Sequence, residues 1–166
     1  IRRVKASIHD LTADPPRLRL RGGVDLNLVD GVTFLERSPL QPEGFLGPGV
    51  MAGPAVLELG LDLPLGKGGK PDVRGRLRLD GAAFRPRPGV PALVGVTGEV
   101  AFQGGHLRGQ DLRGELLDQP VELGLERSAD GPLRARVAGD FPARILRRAL
   151  ARYGLGHPLD RRLTGV

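Results

Sequence analysis

Alternation governs this chain. Val73-Arg74-Gly75-Arg76-Leu77-Arg78-Leu79 and Val96-Thr97-Gly98-Glu99-Val100-Ala101-Phe102 share one pattern, Val-x-Gly-x-apolar-x-apolar, and Val137-Ala138-Gly139-Asp140-Phe141 is a truncated echo. Successive side chains of a strand point to opposite faces, so a period of two gives one aliphatic face and one wet face. Wound into a helix, the same residues would scatter around the whole circumference instead of forming a stripe. The pattern confines the fold to sheets, and such strands specify a surface rather than a catalytic pocket.

The period recurs along most of the chain. Val4, Ala6 and Ile8 alternate with polar residues, and Leu18, Leu20, Gly22, Val24, Leu26 and Leu28 oppose Arg17, Arg19 and Arg21. In the longest run, Ala55, Leu57, Leu59, Leu61, Leu63 and Leu65 alternate with Val56, Glu58, Gly60 and Asp62. Gly66 to Pro71 turns that run into the first Val-x-Gly strand. An antiparallel hairpin follows, with Leu against Leu on one face and Glu58 or Asp62 facing Arg74, Arg76 or Arg78 on the other. After Gly104-Gly105, the stretch from Leu107 to Leu117 switches parity near Gly109 to Asp111, which predicts a β-bulge. Val121, Leu123 and Leu125 then lead through Asp130-Gly131-Pro132 into Leu133, Ala135 and Val137, with Glu126 opposite Arg134 or Glu122 opposite Arg136. The expected fold is mainly β, an antiparallel meander of about eight or nine strands.

Two segments change period. Asp30 is suited to cap a short helix of Val32 to Arg37 that Pro39 stops, which places it near 30–38. Over 140–154, Asp140 and Pro142 open an amphipathic helix that Gly154 ends. Its apolar face holds Ile145, Leu146, Ala149, Leu150 and Tyr153, with Arg147, Arg148 and Arg152 toward the C-terminal end.

Composition narrows the function. Aromatics are 4 % of 166 residues, with no Trp and one Tyr, so the apolar face is Leu, Val and Ala. The net charge is +6, and all but three of the 25 basic residues are Arg. Those arginines alternate with leucines among interspersed carboxylates, as on a solvated sheet face, and the aromatics that stack single-stranded bases are nearly absent. No nucleic-acid partner is expected. There is no Cys, hence no disulfide, and no run approaches the ~18 apolar residues of a membrane span. Ile1 lies within strand-like sequence and Leu163-Thr164-Gly165 reads as the start of another strand, so residues 1–166 are expected to be one fragment of a longer protein.

Catalytic groupings are missing from the sequence. His9, His106 and His157 are scattered, and none of Ser7, Ser38 and Ser128 sits in a Gly-x-Ser-x-Gly turn. Gly66-Lys67-Gly68-Gly69-Lys70 lacks the spacing of a phosphate loop and leads into a strand, so it reads as a hairpin turn. Asp111 and Asp118 read as bulge and turn residues. No catalytic, metal or cofactor site is expected, and an enzyme on a β-barrel is the least supported reading.

The order of motifs carries a resemblance. Ser38-Pro39-Leu40 precedes a leucine-alternating strand ending Leu63-Pro64-Leu65 and a Val-x-Gly strand. Val96-Thr97-Gly98-Glu99-Val100-Ala101-Phe102 is followed by Leu112-Arg113-Gly114-Glu115-Leu116-Leu117-Asp118-Gln119-Pro120-Val121. A Gly-Asp-Phe helix and Pro158-Leu159 to Leu163-Thr164-Gly165 complete the series. The chain resembles the periplasmic region of AsmA-like proteins of the YhdP type, with TamB more distant. It departs at Asp118, where Gly commonly precedes Gln-Pro-Val; Asp tolerates the left-handed turn. The resemblance implies a long sheet curled into an apolar groove open along one side (β-taco-like), without catalytic residues. It also implies a protein anchored in the inner membrane of a Gram-negative bacterium by a transmembrane segment outside this fragment, carrying phospholipid across the periplasm toward the outer membrane.

The residues alone leave two coverings for the aliphatic face, each buried Leu or Val contributing ~1.5–3 kcal/mol. Either the sheet closes into a sandwich or barrel and fills itself, or the face stays open and phospholipid acyl chains fill it. The resemblance favours the open groove. Its candidate lining is Leu57, Leu59, Leu61 and Leu63, then Leu77 and Leu79, then Val96, Val100 and Phe102. Val121, Leu123, Leu125, Leu133 and Val137 complete it, with the 140–154 helix flanking the sheet. The alternative is a structural β-scaffold of the cell envelope that binds protein partners and carries no lipid.

Overall fold

A computed structural model describes residues 4–8, 12, 15–37, 49–66, 71–86, 89–129 and 131–153. Nine antiparallel strands form one sheet: β1 (Lys5–Ile8), β2 (Arg17–Asn27), β3 (Val50–Ala52), β4 (Pro54–Pro64), β5 (Asp72–Arg85), β6 (Leu93–Gln103), β7 (His106–Leu116), β8 (Gln119–Arg127) and β9 (Arg134–Ala138). Their order is β1-β2-β4-β5-β6-β7-β8-β9, a meander, and the terminal strands β1 and β9 do not pair. Among the described residues the sheet is therefore open and does not close into a barrel. Helix α1 (Leu28–Arg37) connects β2 to β3, and α2 (Ala143–Tyr153) follows β9.

The short strand β3 departs from a plain meander, because it pairs with the far end of β5, beyond the part that pairs with β4. Together β3 and β4 are one strand broken at Gly53, whose φ is +112°. A Cβ there would lie 2.9 Å from Ala82 Cα, so only glycine lets the two backbones approach. Across the break β5 carries its own irregularity, at Gly81.

Both helices start elsewhere than the sequence indicates. Asn27, not Asp30, caps α1: its Oδ1 accepts from the Val29 amide at 3.2 Å and from the Gly53 amide at 3.3 Å. Asp30 sits inside the first turn, where a carboxylate favours the helix dipole. In α2 the Pro142 carbonyl accepts from Ile145 at 2.8 Å and Leu146 at 3.2 Å, so Pro142 holds the cap position and Asp140 lies two residues before it. Pro39, Gly154, most of the Gly66–Lys70 turn, and the Ser38-Pro39-Leu40 and 158–165 motifs lie outside the described residues.

The hairpin turns follow the chemistry of their residues. Gly104 and Gly105 both have positive φ, as do Leu117 and Asp118 at +55° and +60°. These are the two-residue connections whose twist matches that of the paired strands. The parity switch in β7 is a bulge, with register shifting between Arg108 and Leu112 and Asp111 at φ +49°.

Candidate functional site

Cross-strand pairing brings the aliphatic residues onto one face. Val24, Leu57, Leu77, Val100 and Gly109 form one transverse row across five strands. Leu26, Ala55, Leu79 and Gly98 form the next. Gly22, Leu59, Gly75, Phe102 and Leu107 lie on the other side. Leu61 pairs Leu20 and Val73, and Leu63 pairs Leu18. Beyond the bulge, Leu112, Leu123 and Val137 continue the face, with Val121 opposite Gly114 and Leu125 opposite Ala135.

Burial on this face is graded. Val96, Val100 and Val121 are buried, while the candidate leucines of β4, β5 and β8 and Phe102 are half-buried. Leu133, just before β9, and Val137 within it are 41 % and 43 % exposed. Among the described residues no large side chain is fully buried. The face is thus covered by neighbouring aliphatics and at one end by α1, whose Leu28 packs with Ala55, Ala82 and Val96.

Strand glycines take part in this covering. The Phe102 ring and the Glu58 carbonyl occupy the space a Cβ at Gly75 would need, and Leu112 and Leu125 do the same over Gly109. Large side chains on one strand lie in gaps left by glycines on the next, which keeps the face continuous.

The candidate lining omits some of the most buried residues: Leu28, Ala55, Ala82, Leu107 and Leu112. Leu107 and Leu112 have opposite parity and reach one face only because the bulge adds a residue between them. Leu18, Leu20, Val24 and Leu26 also share this face, and their common parity in β2 was the available signal.

The opposite face is charged. Arg17 and Arg19 of β2 hold Asp62, Nε to carboxylate, at 2.6 and 3.2 Å. Hydrogen bonding from Arg17, aided by Arg19, lowers the Asp62 pKa below 3.8 despite some desolvation. Of the two carboxylates expected to face the β5 arginines, Glu58 does so, opposite Arg76, whereas register sets Asp62 opposite Asp72. Arg76 reaches Glu99 at 3.8 Å. Glu126 pairs Arg134 in register, whereas Glu122 faces Ala138 rather than Arg136.

A broad open concavity of about 930 Å³ is lined mainly by this charged side, including Arg21, Arg74, Arg76, His106 and Arg108 against Glu58 and Glu126. Of the candidate lining, only Leu59 and Phe102 border it. The aliphatic face is graded from buried at Val96, Val100 and Val121 to exposed at Leu133 and Val137.

Among the described residues no three His, Cys, Asp or Glu side chains gather into a metal-binding group. His106 is an exposed strand end, and Asp111 and Asp118 are the bulge and turn residues. No helix among the described residues is long and apolar enough to cross a membrane.

Comparison with curated proteins and with solved structures returns no match. A family model described as YhdP protein matches residues 1–165, nearly the full length read above as an order of AsmA-like motifs. The open antiparallel sheet agrees with that order, and the chain belongs to the YhdP family.

Proposed function

We propose that the aliphatic face is a segment of a lipid conduit, in which phospholipid acyl chains replace water over Leu57, Leu59, Leu77, Val100, Leu123 and their row neighbours. The observation that carries this reading is an open sheet with one continuous aliphatic face, most of whose leucines are half-buried rather than buried. Membership of the YhdP family, which is generally non-enzymatic, suggests a lipid-transport-related protein of the bacterial envelope. In the finer reading the cargo is phospholipid crossing the periplasm toward the outer membrane, and the chain is part of a longer protein anchored in the inner membrane. Aliphatic side chains without flat aromatics suit fluid acyl chains, because such contacts are non-directional.

Photo-crosslinking from Leu59 or Leu123 in cells tests this reading. The expected result is a lipid adduct at both positions and none from the charged face at Arg78. Protein adducts without lipid at Leu59 and Leu123 would replace the conduit with a scaffold that binds envelope proteins.

A further inference from the structure

Helix α2 is amphipathic and buries none of its residues. At about 100° per residue, Ile145, Leu146, Ala149, Leu150 and Tyr153 fall in one half of its circumference. Arg144, Arg147, Arg148 and Arg152 fall in the other, and the helix contains no acidic residue. Its apolar half is open to solvent at Leu146, 43 % exposed. By contrast α1 carries acidic residues and engages the sheet through Leu28.

The charges of α2 differ from those of the sheet. On the sheet Arg17 and Arg19 meet Asp62, and Arg76 meets Glu99. Among the described residues no carboxylate lies within ion-pair distance of the four arginines of α2. Arg152 instead lies over the ring of Tyr153, 5.7 Å from its centroid. A cationic half and an aliphatic half complement a flat interface with hydrocarbon on one side and phosphate on the other. An acidic protein groove would satisfy the arginines only along its rim, whereas here they fan over half the helix.

We propose that α2 is an interfacial helix that lies in the plane of an anionic phospholipid surface, its apolar half among the acyl chains and its arginines on the headgroup phosphates. The proposal goes beyond the conduit reading and does not depend on it. Cosedimentation of the full chain with vesicles tests it, using phosphatidylglycerol mixed with phosphatidylcholine against phosphatidylcholine alone. Binding to the mixed vesicles is at least about tenfold stronger and falls as salt rises. The double variants Leu146→Glu/Leu150→Glu and Arg147→Glu/Arg148→Glu each lose about tenfold or more. The second pair is exposed and keeps the test valid if the first disturbs folding. Lipid crosslinking from Leu123 is unchanged in the arginine pair, which separates failure of the helix reading from failure of the conduit. Equal binding to neutral vesicles overturns the proposal, as does undiminished binding by both variants. So does a loss of self-association or of sheet stability in the leucine pair without loss of vesicle binding, because the helix would then cover protein.

Discussion

At Gly98 the sheet admits only glycine. Its φ is +121°, and a Cβ would lie 2.6 Å from the Asp111 carbonyl oxygen in the β7 bulge. Gly98→Ala therefore combines an unfavourable backbone with a collision against backbone atoms, and should cost ~2 kcal/mol or more. Gly81 has φ +78° but open space around it, so Gly81→Ala carries the backbone cost alone, about 1 kcal/mol. Urea unfolding of the two variants checks the difference, and equal losses would contradict the collision. Asp62 gives a second residue-scale prediction. Its folded pKa is depressed by Arg17 and Arg19, so the stabilisation is present in full above the unfolded value near 3.8. It is lost as pH falls through the folded value, where the carboxyl is protonated in both states. Asp62→Asn should lower the melting temperature near neutral pH, and the difference from the parent should shrink as pH falls below the unfolded value.

At the scale of elements, Asn27 fastens α1 to the broken strand. Its one side-chain oxygen serves both the Val29 and the Gly53 amides, while the Leu28 amide donates to the Gly53 carbonyl at 2.9 Å. Asn27→Ala should cost about 1–2 kcal/mol, measured by urea unfolding, and should expose the Ala55, Ala82 and Val96 end of the apolar face to a hydrophobic dye. The strands were legible because alternation is a local signal, and even the bulge showed as a parity switch at Gly109 to Asp111. The caps were less so. Asp30 is as good a capping residue as Asn27 by type, and only the contact with Gly53, 26 residues away, decides between them. The candidate lining was readable as a face but not as a burial order. Leu28 and Ala82, outside the candidate lining, are among the most buried residues of the face because α1 folds back and β5 bulges at Gly81, and both depend on distant pairing. Charge partners were legible in part: Glu58 faces Arg76 and Glu126 faces Arg134, but Asp62 could lie against either neighbouring strand, and β2 holds it rather than β5.

For the molecule as a whole, the informative feature is the order of the sheet. Apart from β2 with β4 and β3 with β5, each strand pairs only with its neighbours in the chain. Such an arrangement is nearly one-dimensional: its stability is a sum of strand and neighbour terms rather than one shared core. Cooperativity should then be graded. Backbone amides of β1 and β9, whose side chains are all exposed, should exchange with deuterium first. Those of β4 to β6 should exchange last, and uniform protection across the sheet would refute the gradient. The same order limits how far damage travels. A substitution that unzips β8 from β9 leaves the β4–β5 pairing intact, so strands part and rejoin locally while the rest of the sheet holds its register.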